Sequence, residues 1–146
     1  MPENDYEVRV AADPDDLKAY YAVRHEVFVI EQGVPADLEY DARDADAVHV
    51  LATGPDGALG AGRLLLGEDG TGILGRLAVT GANRGRGIGV ALVRAIEEEA
   101  RRHGQSAVEL HAQAHAVGFY ERLGYTSFGA EYEEAGIPHL SMRRVL

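Results

Sequence analysis

A mixed α/β fold built around one sheet is what this sequence predicts, and three observations carry that expectation. Apolar runs of strand length recur between Pro, Asp and Gly turn signals; two segments show helical periodicity with recognisable starts; and a glycine-rich turn joins one strand to the longer helix. "YEVRVA" (6–11) alternates as a short strand. In "DPDDLKAYYAVRHEVFVIEQ" (13–32), Asp13 offers an N-cap, Pro14 sits at the first helical position and acids fill the first turn, so the first helix begins there. "GVPADLEYDARDAD" (33–46) lacks an apolar period and reads as an acidic loop with room for one short turn of helix.

"AVHVLATG", "GALGAGRLLLG" and "GILGRLAVTG" follow as three strands, separated by "PDG" and "EDGTG", whose Pro, Asp and Gly suit hairpin turns. Beyond the glycine turn, Ile88, Leu92, Val93 and Ile96 recur at helical spacing. Glu97, Glu98, Glu99, Arg101 and Arg102 are expected to face water, and Gly104 is the stop. "SAVELHA" is the next strand, "AHAVGFYERLG" a short helix closed by Gly124, and "YTSFGAEY" and "HLSMRRVL" the last two strands. The order is β-α-β-β-β-α-β-α-β-β. With neither repeats nor a linker, residues 1–146 read as a single domain.

Composition excludes several function classes. There is no cysteine, which removes disulfides, thiolate metal sites and a Cys nucleophile. The 24 acidic residues against 14 Lys plus Arg give a formal net charge of -10, a surface that repels nucleic-acid phosphates. No apolar run approaches the ~20 residues of a membrane span, and "MPENDYEVRV" is acidic rather than signal-like, so a soluble cytoplasmic protein is expected. Lys18 is the only lysine. Strong acidity with almost no lysine fits either a halophile-like acidic surface or a genome that favours Arg codons.

"TGANRGRGIG" (80–89) lies between a strand and a helix, the geometry that turns a helix N-terminus into an anion site. Glycines allow a ligand close to the backbone, and Arg84 and Arg86 reverse the local charge of an acidic protein. The competing reading is a glycine-rich connection without a ligand. A P-loop is excluded because Gly-Lys-Ser/Thr is missing, and a dinucleotide fingerprint starting at Gly85 fails at Val90.

The pattern Arg84-x-x-Gly87-x-Gly89 resembles the acyl-CoA loop of the GCN5-related N-acetyltransferases (GNAT). A second block, "AVGFYERLGY" (116–125), is similar to that family's A-x-x-x-Y-x-x-x-G-F/Y segment through Ala116, Tyr120, Gly124 and Tyr125, and the spacing between the two blocks also fits. Within the family, "VRHEVFVIEQGVP", "LHAQAHAVGFYERLGY" and "EEAGIPHLSM" look like the ElaA branch. The resemblance implies a GNAT acyl-CoA N-acyltransferase fold and transfer of an acetyl group from acetyl-CoA to a primary amine, by direct attack in a ternary complex. The lack of Cys and of a G-x-S-x-G elbow fits direct transfer. The acceptor is expected to be a small-molecule or peptide amine, no metal is called for, and a homodimer is compatible with the resemblance. The rival is an acyl-CoA-binding sensor or assembly module without turnover.

By the same resemblance, Leu77, Ala78 and Val79 offer main-chain groups to the pantetheine arm, and Arg84, Gly85, Arg86, Gly87, Ile88 and Gly89 hold the pyrophosphate. Gln113 stands where many members carry an Asn that contacts the cofactor. Tyr120 matches the general acid near the thioester sulfur, its competing reading being an aromatic core residue beside Phe119. The base is less defined, because the strand "GILGRLAV" ahead of the turn carries Arg76 and no carboxylate. His111 is the first candidate and Glu31 the alternative; a structural role is the competing reading for His111. His111 and His115 have i,i+4 spacing but straddle a strand end, so a metal site is not expected. His49 and His139 fit either structural or pocket roles. Arg24, Arg63 and Arg76 line the cleft or form surface ion pairs, and "ADLEYDARDAD" either rims the acceptor side or is solvated acidic surface.

Overall fold

The computed structural model describes residues 5–146; the first four residues of the acidic N-terminal stretch lie outside the described residues. β1 (Glu7–Val10) is followed by α1 (Pro14–Arg24), which opens on the Asp13 cap: the Asp16 amide donates to the Asp13 carboxylate at 2.8 Å. The chain then widens into a π-helical turn over His25–Glu31, where the Gln32 amide donates to the Val27 carbonyl at 3.0 Å. The expected acidic loop contains one short helix, α2 (Ala36–Glu39), and a 3-10 turn (Ala42–Asp46) closed by a capping box between Asp41 and Asp44. The three meander strands are β2 (Val48–Gly54), β3 (Gly57–Leu65) and β4 (Thr71–Val79). After a 3-10 turn (Gly81–Asn83) come α3 (Ile88–Arg102), β5 (Ala107–Gln113), α4 (Val117–Arg122) and the hairpin of β6 (Thr126–Glu134) and β7 (Ile137–Val145).

All seven strands form one sheet in the order β1-β2-β3-β4-β5-β7-β6, antiparallel throughout except for the parallel pair β4–β5. Alternation along the strands feeds two cores. Val50, Leu64, Leu74, Val108 and Leu110 face α3, while Leu51, Ala61 and Ala78 face Tyr20, Val23 and Val27 from α1 and the turn after it. α3 lies close to the sheet because β3 is glycine-rich: a Cβ at Gly62 would stand 2.7 Å from Ile96 Cδ1. Among the described residues, no helix is long and apolar enough to cross a membrane.

Two buried charge clusters correct the sequence reading. Glu97 is not solvated: it is 1% exposed, accepts from the Tyr125 hydroxyl at 2.8 Å, and pairs with Arg144 at 2.8 Å and Arg94 at 2.9 Å. It ties α3 to β7 and to the end of α4.

The second cluster underlies the acidic segment. Arg24 is 0% exposed, so it neither lines a cleft nor forms a surface pair. It donates to both oxygens of Glu39 (2.6 and 3.2 Å) and of Asp44 (2.7 and 3.2 Å), with the rings of Tyr20, Tyr21 and Tyr40 around it. Arg63, also buried, donates to Asp41 at 2.8 Å and Asp44 at 2.9 Å. Arg76 reaches the Glu39 carbonyl at 3.1 Å and Asp41 at 3.3 Å. Three arginines thus face Glu39, Asp41 and Asp44, and these carboxylates are counter-charges rather than a free acidic rim. Burial alone would push the Asp44 carboxyl up, but hydrogen bonds from Arg24 and Arg63 outweigh it and hold it down at about 2.

Because that folded value lies below an ordinary aspartate, the stabilisation from Asp44 is complete above pH ~4 and fades as pH falls toward 2. Asp44→Asn is therefore expected to melt well below the wild type at pH 6, with the gap between their melting temperatures narrowing as pH drops through that window. Glu97→Ala strands Tyr125 and two arginines and is expected to lose about 3 kcal/mol in urea unfolding, whereas Glu98→Ala, on the exposed face, stays within about 0.5 kcal/mol.

Candidate active site

The parallel ladder between β4 and β5 runs only from Thr71↔Ala107 to Leu74↔Leu110. Beyond it, β5 stays paired with β7 up to Gln113↔His139, and β4 stays paired with β3 up to Gly60↔Val79. The two strands part, and a cleft of about 960 Å³ opens between them. On the β4 wall, the main-chain groups of Leu77–Val79 have lost their β5 partners, and in a dry setting such groups require others. β4 also carries one extra residue opposite β3, since Arg63↔Gly75 is followed by Ala61↔Ala78, and Arg76 takes φ 53 there. This left-handed arginine is held by its bonds to the acidic segment, the kind of strain that persists where its surroundings fix it.

The glycine turn follows β4. Gly85 has φ 82, and Gly87, the N-cap of α3, has φ 80, both in the left-handed region. With no side chain capping α3, its first amides are free of side-chain partners. Arg84 folds back over the turn, donating from Nε to the Val79 carbonyl at 2.9 Å and from its two terminal nitrogens to Glu31, each at 2.8 Å. The Arg84 guanidinium holds the Glu31 carboxyl below its ordinary range, and Glu31 in turn raises Arg84. Arg86 turns the other way, onto Asn83 at 2.9 Å and the Tyr6 ring.

The opposite wall comes from β5, α4 and the β6–β7 hairpin. The cleft brings together Leu77, Ala78, Val79, Arg84, Gln113 and Tyr120, with Glu31 and His111 also on its surface; Arg86 and Gly85 through Gly89 lie outside its lining. Gln113 donates to the Gln32 side chain at 3.1 Å, joining β5 to the π-helical turn. Tyr120 is buried against Phe119 and Tyr125, its centroid 5.0 and 5.9 Å from theirs, and burial pushes its phenol well above the ordinary value, so it is neutral at physiological pH. His111 is exposed, with Nδ1 at 2.5 Å from the Tyr132 hydroxyl. His49 lies in the arginine cluster instead, with Nε2 at 2.9 Å from the Asp44 carbonyl, and burial depresses its pKa.

Sequence reasoning missed Arg76 as a strained bulge residue and Glu134 and His139 as neighbours in the cleft. The bulge leaves no mark in composition. The hairpin pair had one signal, the segment "EEAGIPHLSM", in which both residues sit.

Comparison with known proteins agrees with this geometry. The family model for the acetyltransferase (GNAT) domain matches residues 10–146. YjcF of Bacillus subtilis, named as an uncharacterized N-acetyltransferase, is 38% identical over 136 residues, covering 92% of this chain and 96% of that protein. The crystal structure of Escherichia coli ElaA superposes with a TM-score of 0.84 at 31% identity, covering 95% of this chain and 99% of the other. An acyl-CoA N-acyltransferase from Pseudomonas aeruginosa superposes with a TM-score of 0.83 at 34% identity, covering 97% and 99%. The parted strands, the glycine turn and these relatives lead to one assignment: the chain belongs to the GNAT acetyltransferase family, in its ElaA-like branch.

Proposed function

We propose that this protein transfers an acetyl group from acetyl-CoA to a primary amine, by direct attack within a ternary complex. The observation that carries the reading is the parting of β4 from β5, with the main chain of Leu77–Val79, no longer laddered to β5, on one wall and the Tyr120 phenol on the other. An amide-rich pantetheine arm laid along β4 would satisfy those groups as an added strand does. The pyrophosphate would then reach the turn of Arg84 through Gly89, where no side chain caps α3 and the dipole of that helix favours negative charge. Gln113 is positioned to contact the arm from β5.

Amine attack on the thioester carbon expels the CoA thiolate. Tyr120, kept neutral by burial, would donate its proton as the C–S bond breaks. The amine itself is an ammonium at neutral pH and must first lose a proton. Glu31 is poorly suited to take it, since its carboxylate is held by Arg84. The absence of a carboxylate on β4 favours the second reading, an acyl-CoA-binding module without turnover.

Calorimetric titration with acetyl-CoA, at low and at molar salt, tests the cofactor assignment. One-site saturable binding is expected, weakened at least tenfold by Arg84→Glu, which places a carboxylate where the pyrophosphate would lie. No binding at either salt by the folded protein would defeat the reading. Tyr120→Phe is expected to lower turnover about 100-fold across a panel of primary amines while leaving acetyl-CoA affinity nearly intact. An unchanged rate would remove the general-acid role, and a wild type that binds but never turns over would favour the binding module.

A further inference from the structure

The segment "EEAGIPHLSM" forms the β6–β7 hairpin, and the function proposed above leaves its polar residues unused. Glu134 pairs with Ile137 across a two-residue turn, Ala135 and Gly136, with φ 52 and 76. Both central residues are left-handed, which an alanine adopts only under constraint, and this turn sits on the cleft. Its two strands present Glu134 and His139 to one another, with the Glu134 carboxylate 3.8 Å from His139 Nε2.

Three histidines line the cleft, His111, His115 and His139, and hydrogen bonding separates His139 from His111. His139 Nδ1 lies 2.7 Å from the Ile137 carbonyl oxygen, which can only accept; Nδ1 therefore carries the proton, and Nε2 of the neutral ring holds the lone pair. The ring is almost wholly buried, stacks on Tyr132 at 5.9 Å between centroids, and lies opposite Gln113 on β5. His111 is arranged differently. Its Nδ1 meets the Tyr132 hydroxyl at 2.5 Å, a partner that donates as well as accepts, so no acceptor-only group fixes its tautomer. That nitrogen of His111 is already engaged.

We infer that His139 is the general base of the acetyl transfer, its Nε2 taking a proton from an acceptor ammonium that the Glu134 carboxylate holds beside it. The 3.8 Å gap is too long for a direct hydrogen bond and leaves the lone pair open, while the carboxylate supplies attraction for the ammonium and for the imidazolium that follows. This inference rests on the reading of the protein as an amine acetyltransferase. The ammonium N–H bond breaks, its proton goes to Nε2 and the electron pair stays on nitrogen. That pair forms the C–N bond to the thioester carbon as the C–S bond breaks, and the sulfur takes the Tyr120 proton. The surplus proton on the new amide nitrogen replaces the one Tyr120 gave, through water. The products are the amide, CoA thiol and an imidazolium that discharges to solvent.

His139→Asn tests it, because the Asn amide can still donate to the Ile137 carbonyl while Nε2 is removed. With acetyl-CoA and a panel of primary amines, this variant is expected to lose about 100-fold in kcat, to keep acetyl-CoA affinity within about twofold, and to lose the acidic limb of the pH profile. The charged and titratable groups that face the ring are Glu134 and Tyr132, with His111 beyond Tyr132, so the profile is also recorded for Glu134→Gln, expected mainly to raise KM for the amine. Nitrogen-resolved NMR of the wild-type imidazoles at pH 8 gives a readout independent of turnover: His139 is expected protonated at Nδ1. If His139→Asn melts early, His139→Gln replaces it in the same assays. Wild-type turnover with an unchanged His139→Asn profile, an acidic limb that disappears instead in His111→Asn, or His139 protonated at Nε2 overturns the base assignment alone. A wild type that binds acetyl-CoA and acetylates no amine overturns the enzymatic reading and the base role with it.

Discussion

The hydrogen-bond ladder between β4 and β5 stops at Leu74 and Leu110, while each strand keeps its partner on the far side. A sheet that continued would have buried these edges as core. Because it does not, a gap opens in the middle of the molecule, walled by main chain on one side and by β5, α4 and the hairpin on the other. The extra residue at Arg76 bends β4 at the same level, and the acidic segment packs against that bend. The position of nearly every cleft residue follows from this divergence.

An open cleft needs rigid walls, and here buried ion pairs supply much of the stiffness. Arg24, Arg63 and Arg76 fasten the 36–46 segment to α1, β3 and β4, and Glu97 fastens α3 to β7. Such clusters contribute little net stability compared with apolar packing of the same volume, yet each is expensive to break from one side, so they resist sliding of one element over another. A chain with a net charge of -10 has thus placed several of its 14 basic residues where their charge is internally matched.

The secondary structure was legible because it is encoded locally. Asp13 and Pro14 start α1, Gly87 starts α3, and the turn residues separate the meander strands where expected. The buried charges were harder to read because the partners of Arg24 and Arg63 are 15 to 22 residues away along the chain and the Tyr125 partner of Glu97 is 28 away, although the helical period did carry a trace of them. Arg24 lies one turn from both Tyr20 and Val27 on the apolar face, and Glu97 one turn from Val93 and Ala100. A charged residue on a buried stripe calls for a partner, and reading the stripe by position rather than by residue type would have placed both inside. The cleft was legible only through the resemblance of its glycine turn and tyrosine segment to a family, since no local pattern announces where two parallel strands will separate.

The pairing of Glu31 with Arg84 changes what it means for that arginine to meet an anion. Arg84 is not a bare cation awaiting charge; both its terminal nitrogens already donate to a carboxylate. An anion arriving at Arg84 performs an exchange, displacing the Glu31 carboxylate from the contacts it makes, so the energetic gain is the difference between two ion pairs rather than the whole of one. Exchange of this kind displaces fewer counterions than neutralising a free charge, which flattens the dependence on ionic strength. It also couples any occupant of the turn to the π-helical segment His25–Glu31, because freeing Glu31 loosens the contact that draws this segment toward β4.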